Sequence, residues 1–203
     1  MRTSVALCLL ALPALAPAQP ARRGRAREPL RVEGPFRDDA AYCAPLAQGT
    51  DEACRSPYSP DENRCGCDLD GDAPAGVRQL PAPQGPLRAA RLVRITRDVH
   101  ELDPCVLLVE TPRGTFALPG VGTCGEPRIA HDYTITTTVG AMSAAPAPGG
   151  GAVLTIRLRE REDRADYSEV GGPRGTSSEA RATVTVRVSA AGDVVSALRS
   201  GRR

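Results

Sequence analysis

The chain has 203 residues, with 26 basic and 24 acidic side chains and a formal charge of +2. That near-neutral balance gives no footprint for a nucleic-acid partner, and the length suits one domain with a small appendage. Every basic residue is Arg, Trp is absent, and Ala, Gly and Pro are abundant. This is the composition of a GC-rich genome and points to bacterial origin.

Residues 1–18 read as a secretory signal peptide. Arg2 precedes an apolar run from Val5 to Ala16, and the small residues Ala16 and Ala18 precede the cut. The run is shorter than the roughly 20 residues that cross a bilayer, and no later stretch is apolar enough, so no transmembrane span is expected. The predicted location is outside the cytoplasm: periplasm, cell surface or medium. Cleavage removes Arg2, so 26 basic residues become 25 against 24 acidic ones.

Residues 19–35 are rich in Arg and Pro, lack periodicity and read as a disordered arm. Residues 36–80 form a cysteine-rich lobe of loop and short helix. Asp38 or Asp39 caps a helix carrying Tyr42, Cys43 and Leu46, which Gly49 would end. Residues 81–86, "PAPQGP", read as a linker.

From 87 to 200 the pattern becomes strands. Val93 and Ile95 alternate with Arg94 and Thr96. Two apolar runs around Pro112-Arg113-Gly114 read as a hairpin. Thr137 and Val139 alternate with Thr136 and Thr138, and Leu154, Ile156 and Leu158 with Thr155, Arg157 and Arg159. Ala182, Val184, Val186 and Val188 alternate with Arg181, Thr183, Thr185 and Arg187, and "VVSALR" follows a turn. A period of two with one polar face marks half-buried antiparallel sheet. The expected fold is mainly β, an antiparallel sandwich or partly open barrel of about seven strands behind the disulfide-rich lobe.

Six cysteines remain in the mature chain: Cys43, Cys54, Cys65, Cys67, Cys105 and Cys124. An even number in an exported chain argues for disulfides. Cys105 and Cys124 bracket the hairpin and can bridge. A Cys65–Cys67 ring would be strained. Two arrangements are left, Cys43–Cys65 with Cys54–Cys67, or Cys43–Cys67 with Cys54–Cys65. Zinc fits poorly, because no C-x-x-C pair is present. The Cys65-Gly66-Cys67 pair could instead serve a thiol–disulfide oxidoreductase, since strained bonds are easily reduced. Nearby Asp68, Asp70 and Asp72 oppose the thiolate such an enzyme needs.

Those three aspartates have the alternate spacing that begins a calcium loop. An EF-hand needs Gly sixth and Glu twelfth. Counted from Asp68, those positions hold Ala73 and Gln79. The ordinary reading is a polar turn and no cofactor. The alternative is a weak calcium site completed by Asp61, Glu62 or carbonyls, in a calcium-dependent binding module.

No G-x-S-x-G, P-loop, H-E-x-x-H or G-x-G-x-x-G is present. His100 and His131 sit beside Asp103 and Asp132 near strand ends, where surface histidines are common. Glu160, Glu162, Asp163 and Asp166 interleave with arginines and read as a solvated strand end. Nothing pairs a nucleophile with a base. The expectation is a non-catalytic, exported binding or structural module, meeting a protein or surface through the lobe or long loops.

Overall fold

The computed structural model describes residues 27–47, 66–68, 83–96, 104–124, 133–166 and 174–201. Those residues are mostly antiparallel β, in two five-stranded sheets, one of them curled into a half-barrel.

The first sheet holds five strands: β1 (Arg27–Pro29), β7 (Tyr133–Pro146), β8 (Ala152–Asp166), β9 (Arg174–Val188) and β10 (Val194–Gly201). They are ordered β1-β10-β9-β8-β7. Leu154, Ile156 and Leu158 of β8 and Val184 and Val186 of β9 are buried in one core. Arg157, Arg159, Arg181 and Arg187, one residue out of phase, are exposed on the other face. This is the open sheet.

The second sheet, β2 (Glu33–Phe36), β3 (Gly66–Asp68), β4 (Ala89–Thr96), β5 (Pro104–Thr111) and β6 (Gly114–Thr123), runs β2-β6-β5-β4-β3. It is buried on both faces. Leu92, Leu107, Val109 and Leu118 join the core shared with the open sheet. Val93, Ile95, Val106, Leu108 and Ala117 form a second cluster on the far side, covered by Phe36, Tyr42, Leu46 and Cys67. Tyr42 and Leu46 belong to the helix α1 (Asp39–Ala47). Continuous apolar runs such as "CVLLV" are what a strand buried on both faces requires. This is the covered sheet.

The seven strands expected between 87 and 200 are β4 to β10, and the hairpin turns at Pro112–Arg113 as read. Three short strands add to them. Of the arm expected at 19–35, residues 19–26 lie outside the described residues, and from Arg27 the chain pairs with β10 and then with β6. Strands this short, carrying Pro29 and Gly34-Pro35, have no periodicity to detect. At the end of the expected linker, Gln84 bridges to Leu87, the first residue of the expected β domain, across a tight turn with Gly85 at φ 54°.

Two irregularities redirect side chains. β7 gains a residue at Gly140, between Val139 and Ala141, and β10 shifts register between Val194 and Ser196. An extra residue bends a strand and reverses the faces beyond it. In β10 this turns Ala197 and Arg199 inward and leaves Leu198 opposite Thr185.

Candidate functional site

The lobe is built onto the covered sheet by a cap, a staple and an ion pair. Asp38 caps α1 from the position before it: its Oδ1 accepts the Ala41 N–H at 2.7 Å. That bond, with a second from Arg37, holds the Asp38 carboxyl below its ordinary pKa. Asp39, the other candidate cap, faces the sheet instead. It accepts the Thr115 hydroxyl at 2.8 Å and pairs with Arg91. Phe36 and Tyr42 meet edge to face, centroids 5.3 Å apart.

Cys43 of α1 is bonded to Cys67 of β3, with Cα atoms 5.6 Å apart. The arrangement pairing Cys43 with Cys65 is therefore overturned, and Cys54 and Cys65 lie outside the described residues. Because the Cys67 sulfur is taken by Cys43, it is not bonded to Cys65, which weighs against a working C-G-C redox pair. Cys105 and Cys124 are bonded inside the shared core, as their position about the hairpin suggested.

Asp68 is placed by its backbone in β3, opposite Arg94. Asp70, Asp72, His100 and His131 lie outside the described residues. Among the described residues no group of three or more His, Cys, Asp or Glu could hold a metal ion, and no helix is long and apolar enough to cross a membrane.

An open groove of about 610 Å³ runs between the start of α1 and the β5–β6 hairpin, lined by Arg37, Asp38, Arg88, Glu110 and Arg113 among others. Several of its charges are answered within the fold. Arg37 pairs with Asp38 at 2.9 Å, Arg91 with Asp39, and Arg113 reaches Asp193 at 3.5 Å.

Between the sheets lies an ion pair that sequence reading missed. Arg199 donates from Nη2 to Glu160 Oε1 at 2.6 Å and from Nε to the Val121 carbonyl at 3.1 Å, joining β10, β8 and β6. The two side chains are only 9% and 16% exposed. Glu160 is thus not part of a solvated cluster. It continues the inward parity of Leu154, Ile156 and Leu158, a signal present in the sequence.

The outer face of the open sheet differs. Arg157, Arg159 and Arg161 of β8 and Arg181 and Arg187 of β9 project from it, against Glu179 and Asp163. Arg161 pairs with Asp163 at 2.9 Å, and Arg181 makes only a loose 3.7 Å contact to Glu179. A hydrogen bond from Ser177, then one from Arg161, keeps the Asp163 pKa low. Arg157, Arg159 and Arg187 have no ion-pair partner among the described residues. Arg159 and Arg181 stand directly opposite each other in register. Like charges so placed destabilise a sheet. An open depression of about 440 Å³ lies beside them, lined by Gly140, Ala141, Arg157, Arg159, Arg181 and Thr183 among others.

No protein-family model, curated protein or solved structure matches this chain.

Proposed function

We propose that the protein is an exported, disulfide-stabilised, non-catalytic binding module of the bacterial envelope or extracellular space, and that it meets its partner with the outer face of the open sheet. The observation that carries this reading is the contrast between the sheets. The lobe is stapled over one outer face, while the other is uncovered by any described residue and holds arginines with no ion-pair partner among the described residues. Local rules are broken most often where function requires it. Two disulfides and the leader-like residues 1–18 support an oxidising destination.

The test is expression of the whole chain in a bacterial host, fractionation, intact mass with thiol alkylation, and co-sedimentation of the product with cell envelopes. The expected product lies outside the cytoplasm, has lost residues 1–18 and has no alkylatable thiol. Its co-sedimentation is expected to fall in the double variant Arg159→Thr/Arg181→Thr. A cytoplasmic product with free thiols refutes export. Unchanged co-sedimentation of the folded variant refutes the open face.

A further inference from the structure

We infer that the open face recognises an acidic polysaccharide, whose carboxylates seat in the depression between Gly140, Arg157, Arg159 and Arg181. This rests on the reading of that face as the binding surface and names its ligand chemistry.

Alternate residues on one strand lie about 6.8 Å apart, and opposed residues on neighbouring strands have Cβ atoms about 5 Å apart. Arg157, Arg159 and Arg181 therefore spring from a triangle of positions, two along β8 and one across on β9. Each offers a planar fork that takes a carboxylate through two parallel hydrogen bonds. An oxyanion between Arg159 and Arg181 would turn their mutual repulsion into attraction to a shared counter-charge.

Gly140 keeps the space open. It is the extra residue of β7, and a Cβ there would stand 3.4 Å from the Arg157 carbonyl and 3.7 Å from Arg159 Nε. A longer side chain would fill the depression.

The rest of the face selects among polyanions. Thr155, Thr183 and Thr185 lie between the arginines, so hydroxyl groups are interspersed with cations on this face. That mixture suits a chain of hydroxyl-rich, singly charged units. Single-stranded nucleic acid relies on aromatic platforms for stacking, and β8 and β9 carry none among the described residues. A membrane surface calls for apolar side chains that enter the interface. Val195 is the one exposed large hydrophobic among the described residues, and it lies on β10, away from the triangle.

The experiment measures binding of the exported protein to polygalacturonate, neutral dextran, an oligothymidylate and phosphatidylglycerol vesicles, at low and physiological salt. Polygalacturonate is expected to bind and dextran not, with affinity falling as salt rises. Arg159→Thr/Arg181→Thr is expected to lower polygalacturonate affinity roughly tenfold or more, the scale of lost charge-assisted hydrogen bonds. Gly140→Leu should lower it too with every charge kept, and carries the test if the double variant does not fold. Undiminished binding by folded variants overturns the site. Tighter binding to the oligothymidylate or the vesicles overturns the ligand class and leaves the binding face standing. No binding to polygalacturonate overturns this inference, and the envelope co-sedimentation then decides whether the face itself has failed.

Discussion

The two sheets share a core and treat their other faces in opposite ways. On the covered sheet, Val93, Ile95, Val106 and Leu108 make an apolar outer face that the lobe must hide. Each charge bordering it that fixes the lobe has a partner: Asp39 with Arg91, Asp38 with Arg37 and the Ala41 amide. On the open sheet, the outer face is largely polar and nothing described lies over it. There Arg157, Arg159 and Arg187 have no ion-pair partner among the described residues, and Arg159 and Arg181 oppose each other. The difference separates charges whose interactions are completed within the fold from arginines with no ion-pair partner among the described residues.

The core between the sheets allows the strongest test, because a fault there should harm both regions. Arg199→Met leaves the Glu160 carboxylate and the Val121 carbonyl without their donor. The expected loss is about 3–5 kcal/mol by denaturant unfolding, the scale for breaking a buried pair. Replacing Glu160 by Met as well should restore most of it, since no uncompensated charge is left. A single variant costing under about 1 kcal/mol would show that the pair behaves as a surface contact. Next in size, Cys105→Ala/Cys124→Ala opens a bridge of sequence separation 19 inside the core. About 3 kcal/mol is expected from the restored freedom of the unfolded chain.

The lobe staple should behave differently. Cys43→Ala/Cys67→Ala opens a bridge of sequence separation 24 and is also expected to cost about 3 kcal/mol, but its mark should be regional. Hydrogen exchange should speed up in α1, β3 and β4 and stay slow in β8 and β9. Equal loosening of both sheets would deny that the lobe is a cover for one of them. Acid acts on the same region more weakly. The Asp38 pKa is lowered in the fold, so its contribution is present above the ordinary carboxylate value of 3.8 and lost as pH falls through the lower folded value. The Asp38 carboxyl signal should titrate below 3.8 in the native protein, with α1 exchange rising as it does; a midpoint at or above that value would remove Asp38 as the cap.

Much of this contrast was legible in the residues. Strict alternation in "TIRLR" and "TVTVRV" assigned faces to β8 and β9, and the same parity, carried two residues further, puts Glu160 inside. The unbroken "CVLLV" differs from them because both its faces are buried. Arg199 was not legible. The alternation of "VVSALR" places Leu198 with Val194 on one face, and only the register shift at Ser196 sends Leu198 out and Arg199 in. Such a shift depends on how β10 meets β9, not on local propensity. The arginine triangle was half visible: each residue was known to face solvent, but the opposition of Arg159 and Arg181 requires the register between strands. Of the lobe, spacing limited the cysteine pairings to two, and the position of β3 beside β4 decided for Cys43–Cys67.

The smallest predicted effect has the opposite sign and bears most directly on the open face. Arg159→Thr removes one of two opposed like charges and substitutes a β-branched residue suited to a strand. If Arg159 has no partner in the folded chain, the change should stabilise the protein by roughly 0.2–1 kcal/mol, read as a higher denaturant midpoint with an unchanged slope. The gain should shrink as salt is added, because repulsion between exposed charges is screened. Arg161→Thr is the control on the same strand. It breaks a pair with Asp163 and should give no gain. A protein more stable without Arg159, yet weaker in envelope binding, would show that the face is kept against its own folding free energy. A protein destabilised by Arg159→Thr would mean that the guanidinium is already answered within the chain, and the contrast between the two faces would fail.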